Sequence, residues 1–173
     1  MESNLFKTLN EILGKTNIED VTSESTSFSE LKDGYYLCEV VSAELKESSK
    51  HDPMVSFRFK VSEDGVAIDD DGNFLDLPKT TGRNIFINYV LKDENSVRRF
   101  VADMLKFEGD VEGEPLLGKE YFLSSDTIDD ALDILVGMNI YVQVSTSEKN
   151  DGTKSTWQNL ISWKRAAALE LPL

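Results

Sequence analysis

Residues 138–165 read MNIYVQVSTSEKNDGTKSTWQNLISWKR, and the fold follows from how this stretch alternates. Ile140, Val142 and Val144 take turns with Tyr141, Gln143 and Ser145, the period of two that sends neighbouring side chains to opposite faces of a sheet. Asn150-Asp151-Gly152-Thr153 then breaks the pattern and supplies a glycine for the positive φ of a tight turn. A β-hairpin is predicted. Its tip and returning strand hold Lys149, Lys154, Trp157, Trp163, Lys164 and Arg165, so cations stand beside aromatic rings here. Leu160-Ile161 interrupts the alternation between the two tryptophans, which leaves open which of them is exposed.

Working upstream, Asp126 to Val136 has helical spacing and stops at Gly137, a residue suited to ending a helix. A second helix starts at a capping Asp93 or Asn95 and runs to about Phe107, with Val97, Phe100, Val101, Met104 and Leu105 on one side. Before it come three apolar alternations. Ile85, Ile87 and Tyr89 oppose Phe86, Asn88 and Val90; Val55, Phe57, Phe59 and Val61 oppose Ser56, Arg58, Lys60 and Ser62; and Tyr36, Cys38 and Val40 belong to GYYLCEVVSAEL. In that last run Val40-Val41 breaks the alternation, as a β-bulge would. Residues 62–82 form a long acidic connection, expected to be a loop.

Three strands, a helical segment and two strands make this a mainly β chain, in the order of a five-stranded OB-fold-like barrel with the helical segment between strands three and four. Ahead of it, Leu5, Phe6, Leu9, Ile12 and Leu13 follow helical spacing behind Ser3, and a Ser, Thr, Glu and Asp-rich linker continues to Glu30. The predicted organisation is an amphipathic helix and linker over 1–30, the barrel over 31–165 and a tail over 166–173. A helix of this kind docks on its own core or on a second copy of the chain, so homo-oligomerisation through it is one expectation.

The chain has 173 residues, 40% of them hydrophobic, enough for one well-buried core. One cysteine, Cys38, and one histidine, His51, exclude an internal disulfide and a His- or Cys-rich metal cluster. The first residues resemble no signal peptide, and no run of apolar residues is long enough to span a membrane as a helix, so a cytoplasmic location is expected. The net charge of −14 argues at first against a polyanion partner, but the acid is unevenly placed. Residues 63–71 carry five acids and no base, and residues 108–133 nine acids and one base. The predicted strands lie outside these runs and carry the cations.

Catalytic chemistry finds little support in the sequence. His51-Asp52 lacks the further histidines that a metal-dependent phosphohydrolase site needs. Asp69-Asp70-Asp71-Gly72-Asn73 resembles part of a calcium loop without its terminal glutamate and flanking helices, so a solvated turn is the simpler expectation. Neither a P-loop nor a dinucleotide fingerprint is present, and Cys38 inside a strand is expected to be a small core residue. No catalytic residue, metal or cofactor is assigned.

Binding chemistry has more behind it. Single-stranded nucleic acid is held by cations along its backbone and aromatic faces beneath its bases. The strands and their connections offer Lys50, Arg58, Lys60, Arg83, Lys149 and Lys154 as cations, with Tyr35, Phe86, Tyr141 and Trp157 as stacking candidates.

Residues 34–61, GYYLCEVVSAELKESSKHDPMVSFRFKV, and 135–164, LVGMNIYVQVSTSEKNDGTKSTWQNLISWK, resemble the opening and closing strands of phage-type single-stranded DNA-binding proteins with OB-folds. The shared features are a Gly-x-Tyr strand leading to an Ala-Glu pair, a Lys/Ser-rich loop, a Leu-x-Gly entry, a charged hairpin and a final strand with an Asn. Met138 stands where that pattern often has a lysine, and the chain ends AAALELPL where many such proteins end in an acidic recruiting tail. The resemblance implies a bacteriophage protein, working in the host cytoplasm, that binds and protects single-stranded DNA in replication or recombination with little sequence preference. The acidic segments would then recruit replication or recombination proteins. The alternatives are an acidic interaction protein or DNA mimic, and a metal-dependent nuclease or enzyme subunit whose carboxylates meet only in the fold.

Overall fold

The computed structural model describes residues 31–109 and 113–172, together with Asn10 and Leu13. The chain divides into two compact units, 1–31 and Lys32–Leu173. Asn10 and Leu13 are helical; the rest of the expected N-terminal helix and its linker lies outside the described residues.

The second unit is built on strand β1, Gly34–Glu47, which is long enough to serve three neighbours. Strand β2, Pro53–Val61, pairs antiparallel with its later part, from Cys38↔Val61 to Glu47↔Pro53. The register shifts between Val40 and Ser42, so the bulge expected at Val40-Val41 is present. It keeps Tyr36, Cys38 and Val40 in the core while the strand bends. Strand β5, Asn84–Val90, continues the sheet beyond β2, with Arg58↔Phe86 among its pairs. Strand β6, Asn139–Glu148, pairs with the first part of β1, and β7, Lys154–Ile161, pairs with β6. The β6–β7 hairpin turns where the sequence predicts, with Gly152 at φ 85° and the Asp151 carboxylate accepting from the Thr153 N–H at 3.0 Å.

The acidic connection is not a loop throughout. Strands β3, Gly65–Ile68, and β4, Phe74–Leu77, form a hairpin docked on β1 through Tyr35↔Val66. Its tip is the acidic run: Asp69 Oδ1 accepts from the N–H groups of Asp71 and Asn73 at 3.0 and 2.8 Å, and Gly72 sits at φ 83°. Val66-Ala67-Ile68 and Phe74-Leu75 are the apolar residues that bracket this acidic turn. Gly34 and Gly65 allow the docking. A Cβ at Gly34 would lie 2.7 Å from the Val66 carbonyl oxygen, and one at Gly65 would lie 2.4 Å from the Tyr36 ring.

Helix α1, Glu94–Met104, starts at the capping box of Asp93 and Ser96 and seats Phe100 and Met104 in the core. A short 3-10 turn, Lys119–Phe122, leads to α2, Ser125–Leu135, capped by Ser124 and packed against β1. The core is aromatic along one line. Phe57 stacks on Phe59 at 5.5 Å between ring centroids, Tyr89 meets Phe57 edge-on, and Phe100 links Tyr89 to Phe122. Cys38 is part of this core, and burial pushes its thiol up to about 12.

Two expectations are corrected here. The described residues are mainly β, but their seven strands form an open antiparallel sheet and not a closed five-stranded barrel. Strands β5 and β7 do not pair; side chains of β5, α1 and the turn after it span the gap instead. The Tyr89 hydroxyl donates to Asp103 Oδ2 at 2.8 Å, Asp103 pairs with Lys106 at 2.8 Å, and Lys106 Nζ donates to the Leu160 carbonyl at 2.9 Å. The second correction concerns the C-terminal residues. Strand β7 ends at Ile161, Ser162 caps a helix, α3, over Trp163–Ala168, and Ala166 and Leu171 are buried. Ser162 accepting from the Arg165 N–H, followed by three alanines, favours a helix over a continued strand and tail.

Candidate nucleic-acid interface

The outer face of β2 and β5 collects the cations and aromatics that alternation places opposite the core. Arg58 lies directly across from Phe86, Lys60 from Asn84, and Ser56 from Asn88. Phe86 is 60% exposed although it sits mid-strand, and a ring so placed has an open face for stacking. Arg58 Nε donates to Asn84 Oδ1 at 3.2 Å, and the Ser56 hydroxyl donates to Asn88 Oδ1 at 2.6 Å. Lys60 has no ion-pair partner among the described residues. On the far side of β2, strand β1 sets Glu39 opposite Lys60 and Glu44 opposite Ser56. These carboxylates share the outer face with the cations, and Arg58 and Phe86 stand on its β5 side.

The remaining candidates are spread out. Lys50 is exposed in the β1–β2 connection, next to His51 at φ 66°. Lys149 and Lys154 flank the tip of the β6–β7 hairpin and are exposed. Arg83 precedes β5 with the inward parity of Ile85. Its charge acts on the buried Tyr36 phenol, opposing burial and Asp33, which together push that group up to about 12. Arg83 is thus close enough to act on Tyr36, and it has an interaction of its own.

Tyr35 and Tyr141 prove to belong to a second apolar cluster. Tyr141 is only 4% exposed, packed with Ile161, Ala166 and Leu171, and Tyr35, Leu37 and Trp163 lie against the same group. Trp163 meets the Tyr141 ring edge-on at 6.0 Å, and the Tyr141 hydroxyl donates to the Pro172 carbonyl. Burial raises the phenol's pKa, with Glu63 adding to the shift. As a stacking residue Tyr141 is ruled out by this cover. The same contacts resolve the two tryptophans: Trp163 is packed, whereas Trp157 is 42% exposed.

Trp157 lines a cleft of about 250 Å³ between β5 and β7, together with Asn88, Tyr89, Arg99, Thr156 and Gln158. Asn84, Asn88, Arg99 and Gln158 are the residues that sequence reasoning missed. The two asparagines share the parity of Phe86 and were legible as polar outward positions; nothing in a helical pattern marks Arg99 as facing a cleft. Among the described residues no group of three or more His, Cys, Asp or Glu side chains is placed to hold a metal ion, and no helix is long and apolar enough to cross a membrane.

The described residues thus define a mainly β protein with an open antiparallel sheet, one part of whose outer face carries Arg58, Lys60 and Phe86. Residues 18–170 match the family described as a protein of unknown function, DUF669, and the chain belongs to that family. No curated protein matches it.

Proposed function

We propose that this protein binds single-stranded DNA with little sequence preference, along the outer face of β2 and β5, and performs no reaction on it. The observation that carries the proposal is the direct cross-strand pairing of Arg58 with the exposed ring of Phe86, with Lys60 one step along the same face. A cation for the phosphate and a ring for the base are the two elements that non-specific binding of a single strand requires. The resemblance of residues 34–61 and 135–164 to phage single-stranded DNA-binding proteins supports the same reading. It suggests protection of DNA during replication or recombination of a bacteriophage. The pairing order β5-β2-β1-β6-β7, with β3–β4 beside β1 and the seam between β5 and β7 open, supports reading the sheet as an opened relative of the OB-fold.

The test is a titration with an oligo(dT) at several salt concentrations, followed by tryptophan fluorescence. Quenching and a log-log salt slope of about −0.7 per phosphate contact are expected; no quenching and no retained complex at low salt would remove the proposal.

One observation favours a second reading, an acidic protein-interaction surface or DNA mimic. Asp126, Asp129, Asp130 and Asp133 are all exposed on α2, at spacings that put them on one side of an ordered helix. Failure of oligonucleotide binding, with retention of a basic DNA-binding protein, would favour it.

A further inference from the structure

We propose that the cleft between β5 and β7 takes one unpaired nucleobase of a bound strand, stacked on Trp157, with the side-chain amides of Asn88 and Gln158 meeting its polar edge and Arg99 taking the adjoining phosphate. The inference rests on the single-strand reading above and assigns it a site beyond the Arg58–Phe86 face.

Size is the first argument. At about 250 Å³, the cleft falls just below the ~300–1,000 Å³ typical of sites for drug-sized molecules, which suits one heterocycle and not several. Chemistry is the second. Trp157 offers a flat apolar wall at 42% exposure, Val90 adds aliphatic surface, and the amides of Asn88 and Gln158 supply donors and acceptors. The Asn88 amide oxygen already accepts from Ser56, so its N–H groups remain to meet a base carbonyl. The acid in the wall is neutralised: Asp103 is held by the Tyr89 hydroxyl and by Lys106. Arg99 has no ion-pair partner among the described residues and is exposed, which leaves a cation at the rim.

Continuity is the third argument. Asn88 lines the cleft, lies two residues from Phe86 on β5 and bonds to β2 through Ser56. A strand laid along Arg58 and Phe86 therefore meets the cleft at the next outward position of β5. The seam itself helps, because β5 and β7 each keep one edge with no strand partner among the described residues. A base can enter where a closed ladder would have filled the space.

The experiment compares a fluorescein-labelled dT oligomer with an abasic oligomer of equal length, by anisotropy, on the wild-type chain and on folded variants. Trp157→Ala should weaken dT binding about 5- to 150-fold, the range of one base stack, and leave abasic binding unchanged; Trp157→Phe should restore most of the loss. Gln158→Ala should likewise weaken dT binding alone, and Arg99→Gln should weaken both oligomers. If Trp157→Ala and Gln158→Ala bind dT as the wild type does while Arg58→Gln binds it less tightly, the cleft assignment is overturned and the Arg58–Phe86 face stands. If the wild type binds neither oligomer at low salt, both proposals fall.

Discussion

Phe86 and Tyr141 are both outward-facing aromatic residues in the middle of a strand of one sheet, and they end in opposite environments. Phe86 on β5 is open to solvent beside Arg58, whereas Tyr141 on β6 lies beneath α3 with its hydroxyl bonded to the Pro172 carbonyl. Strand alternation decides only which side of the sheet a residue takes. Whether that side is covered depends on what the chain does next, and here β6–β7 is followed by a capped helix that folds back over it while β5 is followed by a helix that enters the core. The sheet thus has one half of its outer face sealed by apolar contacts and another left open, with Arg58, Lys60 and Phe86 exposed on it.

Substitution can separate the two halves. The largest effect is expected under α3: Ala166→Asp places an unpaired carboxylate at a fully buried position, and should lower unfolding free energy by about 2–5 kcal/mol in urea titrations. A loss below ~1 kcal/mol would show that the cover is loosely held. On the open half, Phe86→Ala should change stability by no more than about 0.5 kcal/mol yet weaken oligo(dT) binding by about 1–3 kcal/mol in anisotropy titrations. The reverse result, lost stability with intact binding, would make Phe86 a packing residue. Tyr141→Phe removes the bond to Pro172 and should cost about 1 kcal/mol of stability, with DNA affinity unchanged when measured in parallel. Lys60→Gln should give the smallest change, reducing the magnitude of the log-log salt slope by about 0.7 with no detectable shift in the urea midpoint.

The strands of the main sheet were legible because each buries one face, so Val55-Phe57-Phe59-Val61 and Ile140-Val142-Val144 record the core in their parity. The bulge at Val40-Val41 and the turn at Asp151-Gly152 were legible for the same local reasons. The β3–β4 hairpin was obscured because its short strands are only partly buried, leaving no strong alternation beside the acidic tip. The open seam was beyond the sequence, since it depends on Tyr89, Asp103 and Lys106 meeting Leu160 across more than fifty residues of chain. Of the candidate interface, Arg58, Lys60 and Phe86 could be gathered from parity alone. Tyr141 could not be separated from them without knowing that Ser162 begins a helix.

The Tyr89–Asp103–Lys106–Leu160 bridge has a consequence for how such a protein changes over generations. A backbone ladder is almost indifferent to side-chain identity, so a closed barrel keeps its seams through most substitutions. Here the spacing of one seam is entrusted to three side chains, any of which a single codon change can lengthen, shorten or delete. The width of the cleft beside Trp157 is therefore an inheritable dimension, adjustable one residue at a time while the core strands stay as they are.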